Sequence, residues 1–164
     1  MPDILQADTA RQTILAIDRG DTLHGLLTLE CSPGLRAIPV VNSYLAYCMA
    51  KERGQVREAL RLCHSALSAE PDNPAHYLNL GRVYLVAQDK AKAIAVFWKG
   101  ISKDTTAGAN AVAEAPARSS REQALILGEL RRLGIRKRVP FTSLHRGHPI
   151  NVVVGKFLSL IGAR

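Results

Sequence analysis

Residues of this chain match one another at a spacing of 34. Gly25, Ala59 and Ala93 align, followed directly by Leu26, Leu60 and Ile94. Leu29, Cys63 and Phe97 align next, and then the small residues Ser32, Ala66 and Gly100. Upstream in the same register stand Ala16, Ala50 and Tyr84, with Gly20, Gly54 and Gln88 after them. A fixed period of this length builds stacked supersecondary units, because one unit alone cannot bury its apolar face. The stack exposes a long curved surface of the kind that holds other proteins.

The residue types within each unit fit two antiparallel helices. Gly20 and Gly54 suit the left-handed turn that ends a first helix. Pro71, within Glu70-Pro71-Asp72-Asn73, stops a second helix before the next unit begins. Gly81 and Ala93 are small enough to let the two helices of one hairpin approach, while Tyr84 and Phe97 are expected to fill the space where units stack. Units are placed at 6–39, 40–73 and 74–107, with breaks near Gly20, Pro39, Gly54, Pro71 and Gln88. The first is the least regular, since Thr9, Gln12 and Thr13 interrupt the pattern of large residues and glycine; a terminal unit meets water on one side and is often atypical.

In the third unit Tyr77, Leu80, Gly81 and Tyr84 reproduce a W-x2-L-G-x2-Y spacing with tyrosine for tryptophan, and Ala93 with Phe97 gives A-x3-F. On these residues the chain resembles the tetratricopeptide repeat family. The resemblance implies an all-α fold, a solenoid of three antiparallel helical hairpins with a C-terminal capping helix and a basic tail. It also implies a concave groove lined by the first helix of each hairpin. Mapped onto this chain, that face holds Ala10, Ile14 and Ile17, then Tyr44, Cys48 and Lys51, then Leu78, Arg82 and Leu85, with Asn79 at the edge. The candidate peptide-binding residues are Tyr44, Lys51, Leu78, Asn79 and Arg82. Some members clamp chaperone carboxylates with Lys, Asn and Arg, but Ala10, Tyr44 and Leu78 stand where such a clamp needs polar groups. A mixed groove of this kind suits an apolar or extended segment with one anionic contact. Arg82 could instead pair locally with Asp89 or Glu52; as a groove residue, its replacement by Glu is expected to weaken binding and spare the fold.

The formal charge of +8 is concentrated at one end. Residues 1–116 carry 12 Lys/Arg and 12 Asp/Glu, whereas residues 117–164 carry 10 Lys/Arg against Glu122 and Glu129 alone. Such asymmetry suits an acidic partner, and a solubilising tail would look the same. Residues 108–118 read as a linker. Ser119-Ser120-Arg121-Glu122 is a capping-box pattern that opens a helix over 119–134, with Ile126, Leu127, Leu130 and Leu133 on its apolar side. Its expected role is to cover the open end of the third hairpin.

Residues 135–164 form a basic tail whose cluster Arg136, Lys137 and Arg138 is a candidate patch for acidic ligands. Its last segment, 152–163, is expected to be a short apolar helix docked on the protein. The tail resembles those of some bacterial members of the family.

No catalytic motif, cofactor or metal site is expected. There is no phosphate-binding glycine loop, nucleophile elbow or HExxH pattern. Neighbours Cys63 and His64 point about 100° apart on a helix. Cys31, Cys48 and Cys63 match neither a metal site nor a disulfide framework, and His145 and His148 lack nearby ligands. No signal peptide or membrane-spanning run is visible, so a cytoplasmic setting is expected. The function expected is a non-enzymatic adaptor that binds a peptide or protein segment in the concave groove. The alternative is a peripheral membrane or nucleic-acid-associated protein acting through the basic C-terminal segment. Nucleic acid is disfavoured by the scarcity of aromatics there, Phe141 and Phe157 alone, and a membrane surface is the weaker choice while 152–163 packs on the protein.

Overall fold

The computed structural model describes residues 2–102 and 115–135, with side chains described over 6–102 and 121–135. All regular structure among these residues is helical. Three hairpins follow in order: α1 (Pro2–Arg19) with α2 (Thr22–Cys31), α3 (Pro39–Arg53) with α4 (Val56–Ala69), and α5 (Pro74–Val86) with α6 (Lys90–Ser102). A final helix, α7, spans Ala115–Arg132. Helix α3 packs on both α1 and α5, which makes the first helices of the hairpins neighbours along one face. Residues Met1–Leu130 form one compact unit and Arg131–Arg164 a second, of which 131–135 are described. The basic cluster Arg136, Lys137 and Arg138 and the segment 152–163 lie outside the described residues.

The breaks follow from local chemistry. Pro39 and Pro74 occupy the first turns of α3 and α5, where the missing N–H has no intrahelical partner to lose. Asn73 caps α5 by accepting a hydrogen bond from the Ala75 amide, at 3.1 Å. Glu70 and Pro71 are tied back to α5 by its buried first turn: His76 Nε2 lies 3.1 Å from Glu70 Oε2, and the Tyr77 hydroxyl donates to the Pro71 carbonyl at 2.7 Å. One element has no counterpart in the repeat pattern. A 3-10 turn over Pro33–Ala37 joins α2 to α3.

The end of each first helix shows the repeat in backbone terms. Gly20, Gly54 and Gln88 occupy the same register position, and all three are left-handed, with φ of 107°, 67° and 61°. Glycine adopts this conformation without steric penalty, whereas Gln88 carries a Cβ that crowds the following carbonyl. Replacing Gln88 with Gly should therefore raise stability by about 0.5–1 kcal/mol, the relief of strain exceeding the extra entropy of the unfolded chain. Urea denaturation checks this, and a loss of stability would show that the side chain contributes more than its backbone costs.

Packing within the third hairpin depends on one missing side chain. A Cβ on Gly81 would fall inside the Phe97 ring, whose Cδ1 would lie at 2.6 Å. Phe97 is wholly buried, so the ring has nowhere to retreat. Phe97 therefore fills space inside its own hairpin. The second repeat exchanges the volumes, with Tyr47 where the third has Gly81 and Cys63 where it has Phe97. Ala46, Ala50, Ala59 and Cys63 give that repeat a core of small side chains, completed by Leu80 and Val83 from α5.

Candidate functional site

The first helices bring a buried charge network to the face they share. Asp18, near the end of α1, accepts from Arg82 Nη1 of α5 at 2.8 Å and from the Tyr44 hydroxyl of α3 at 3.2 Å. The side chains of Arg82 and Asp18 are only 7% and 4% exposed, so this ion pair is closed to solvent. A buried pair of this kind is tolerable only when each charge meets good partners. Burial alone would lower the Arg82 pKa, but the hydrogen bond and charge of Asp18 more than offset it and raise it. Burial raises the Tyr44 pKa, and the carboxylates of Asp18 and Glu122 raise it further. Tyr44 is thus a neutral donor across the whole practical pH range.

Helix α7 completes this network from the other side. Arg121 Nη2 lies 2.7 Å from Asp18 Oδ2, on α1. One and two turns further on, Ile126 and Leu130 are 0% and 2% exposed, the first of them against Gly100 of α6 and Tyr77 of α5. Glu129 Oε1 stands 3.5 Å from Arg82 Nε. The helix therefore spans from α1 to α5 and α6, covering the third hairpin and running along the face that the repeat pattern assigns to ligand. It begins at Ala115, four residues before Ser119, so Ser119 lies within the helix and not at its cap. Ala115 and Ala117 are strong helix formers, and Pro116 is harmless in a first turn.

The five expected groove residues fall into distinct environments. Tyr44 and Arg82 meet in the Asp18 network. Lys51 is exposed, with Nζ 5.9 Å from the centre of the Tyr47 ring. Leu78 and Asn79 are wholly enclosed, and Asn79 Nδ2 donates to Ser43 Oγ of α3 at 3.1 Å. Ala10, Ile14, Ile17 and Cys48 belong to the core around Leu26 and Leu29. Arg82 pairs with neither local carboxylate: Asp89 holds Lys92, and Glu52 accepts from Thr22. Its burial also removes the idea that Arg82→Glu spares the fold, because that change sets a carboxylate against Asp18 in a closed site.

The residues that sequence reasoning passed over are Asp18, Tyr47, Arg121 and Glu129. Tyr47 lies under the Arg82 guanidinium, 5.1 Å from ring centre to Cζ. Glu122 and Glu129 carried a signal, as the sole acids of a basic third, seven residues apart on one helical stripe.

Nothing in the described residues resembles a reactive centre. Burial pushes the Cys48 and Cys63 thiols up to about 12, His64 is exposed beside the buried Cys63, and no group of three potential metal ligands occurs among the described residues. Cys31 is exposed. A thiol reagent added to the native protein should modify Cys31 alone, with Cys48 and Cys63 reacting only on denaturation. Fast reaction of all three in native buffer would show that the hairpins open readily. No described helix is long and apolar enough to cross a membrane.

Residues 50–115, from the end of α3 to the first residue of α7, match the family model of the tetratricopeptide repeat. That match covers 66 of the 164 residues, and the three stacked hairpins in one 34-residue register have the helical-hairpin architecture of such repeats. Among solved structures, the tetratricopeptide repeat domain of Sgt2 from Aspergillus fumigatus is similar at 15% identity over 91% of this chain and 93% of that one, with a TM-score of 0.49. No curated protein matches. Repeats of this family generally mediate protein–protein interaction.

Proposed function

We propose that this protein is a non-enzymatic scaffold that holds a peptide or protein segment on the face formed by α1, α3 and α5. Of the expected groove residues, Lys51 and Arg82 are assigned to contact the segment, joined by Tyr47, while Tyr44, Leu78 and Asn79 support the face from within. One observation carries the reading: this face already meets a helix, α7, through ion pairs to α1 and α5, with Ile126 of that helix buried beside Gly100 of α6. Helix-in-groove recognition uses this same combination of apolar anchors and flanking charges. A cytoplasmic setting, where Cys31 stays reduced, belongs to the same reading.

Exposed positions give the cleanest test, since they leave the buried network intact. Lys51→Glu should weaken capture of a protein partner from the native cell at least about tenfold, while Leu23→Ser with Leu27→Ser, exposed on α2, should leave it unchanged. The reverse pattern would move the binding surface to the second helices.

A further inference from the structure

Resting on that reading, we propose that the face takes a partner helix in the register of α7 and takes it in place of α7. The register is a basic residue, an aliphatic residue five positions on, an acidic residue eight on and a second aliphatic residue nine on, as in Arg121, Ile126, Glu129 and Leu130. On the helix Ile126, Glu129 and Leu130 share one stripe with Arg121 at its edge, and three of the four positions meet a stated feature. The basic residue meets Asp18, the first aliphatic one meets the gap left by Gly100, and the acid meets Arg82.

Two observations make α7 an occupant that a better helix can replace. First, it leaves the central cation imperfectly matched. Arg82 is 6% exposed, yet its Nε has no hydrogen-bond partner, and Glu129 stops at 3.5 Å from it. A guanidinium gains most from a carboxylate that engages two N–H groups at about 2.7–2.9 Å. A partner acid carried slightly closer than Glu129 makes that second bond.

Second, the face keeps its core pair without α7. Asp18, Arg82 and Tyr44 are joined to one another across α1, α5 and α3, while the α7 contribution to Asp18, Arg121, is 36% exposed at the rim. Departure of α7 thus exposes a preformed acid–base pair flanked by Tyr44 and Tyr47. The match to the repeat family also ends where α7 begins, so the hairpins constitute the repeat array without it. Because a resident helix occupies the site most of the time, it lowers the apparent affinity of any partner by the fraction of molecules that are open.

The probe is a fluorescent peptide of residues 115–132, added to the full-length chain and followed by anisotropy. It should bind the unaltered chain weakly and the chain carrying Arg121→Ala and Glu129→Ala at least about tenfold more tightly, because those substitutions weaken the resident copy and not the face. A peptide with Arg121→Glu and Glu129→Lys should lose at least about tenfold in affinity for the same chain, by reversing both ion pairs. Circular dichroism of the substituted chain controls for its fold. Equal affinity for the two chains means that peptide and α7 bind together, which overturns exchange and leaves the groove reading standing. Indifference to the charge-reversed peptide, or no binding to either chain, overturns the proposed register. Binding with hydrogen-exchange protection confined to α2, α4 and α6 overturns the groove reading itself.

Discussion

Replacing Asp18 with Ala is expected to cost about 3–5 kcal/mol of stability, because it strands the Arg82 guanidinium in a closed site. The carboxylate receives Arg82, Tyr44 and Arg121, and Glu129 at 3.5 Å is too distant to take over the hydrogen bonds. Arg121→Ala makes the comparison informative. Its side chain is 36% exposed, water can solvate what it leaves behind, and its loss should cost no more than about 1 kcal/mol. Urea denaturation of the two variants side by side measures the difference. Equal losses would mean that the Asp18 site is open to water and that the three first helices do not converge as described. A net stability of about 5–15 kcal/mol is usual for a domain, so Asp18→Ala should leave a chain near the edge of folding.

The second large effect lies in the third hairpin. Phe97→Ala should cost about 3–5 kcal/mol, at the upper end for a large-to-small change, because the void opens against Gly81, which has no side chain to lean into it. Cys63 holds the same position in the second repeat and is equally buried, yet Cys63→Ala removes a single sulfur and should cost about 1 kcal/mol or less. The contrast tests whether the third repeat is the one packed around a glycine. Similar melting losses for the two variants would place the Phe97 ring elsewhere.

These cases show where the sequence was informative. The period of 34 brought Gly20, Gly54 and Gln88 into register, and all three adopt the left-handed turn, the glutamine included. Pro71 marked a true break, since α4 ends at Ala69 and α5 begins at Pro74. Such features are local: each depends on backbone preferences within a few residues. Gly81 and Ala93 were legible as the small residues of the third hairpin, but the turn of the Phe97 ring onto Gly81 was not, because spacing alone does not say which neighbour a ring turns toward. The face was harder. Asp18 lies 64 residues from Arg82 and 103 from Arg121, so no periodicity links them, and the repeat pattern assigns Tyr44, Leu78 and Arg82 to a groove without saying what fills it. The helical spacing of Ile126 and Leu130 predicted a buried stripe, but only the fold reveals that Arg121 carries the same helix to Asp18 of α1.

The seating of α7 on the face of α1, α3 and α5 is the claim on which the functional reading turns, and hydrogen exchange of residues 121–130 tests it most directly. An isolated helix of 18 residues is marginal in water, so a free α7 would exchange nearly as fast as the corresponding synthetic peptide. In the intact protein these amides should be protected by at least about tenfold relative to that peptide, and Asp18→Asn, which removes the charge that holds Arg121, should erode the protection in α7 before that of α3. Exchange of 121–130 at the rate of the free peptide in the unaltered chain would contradict the account.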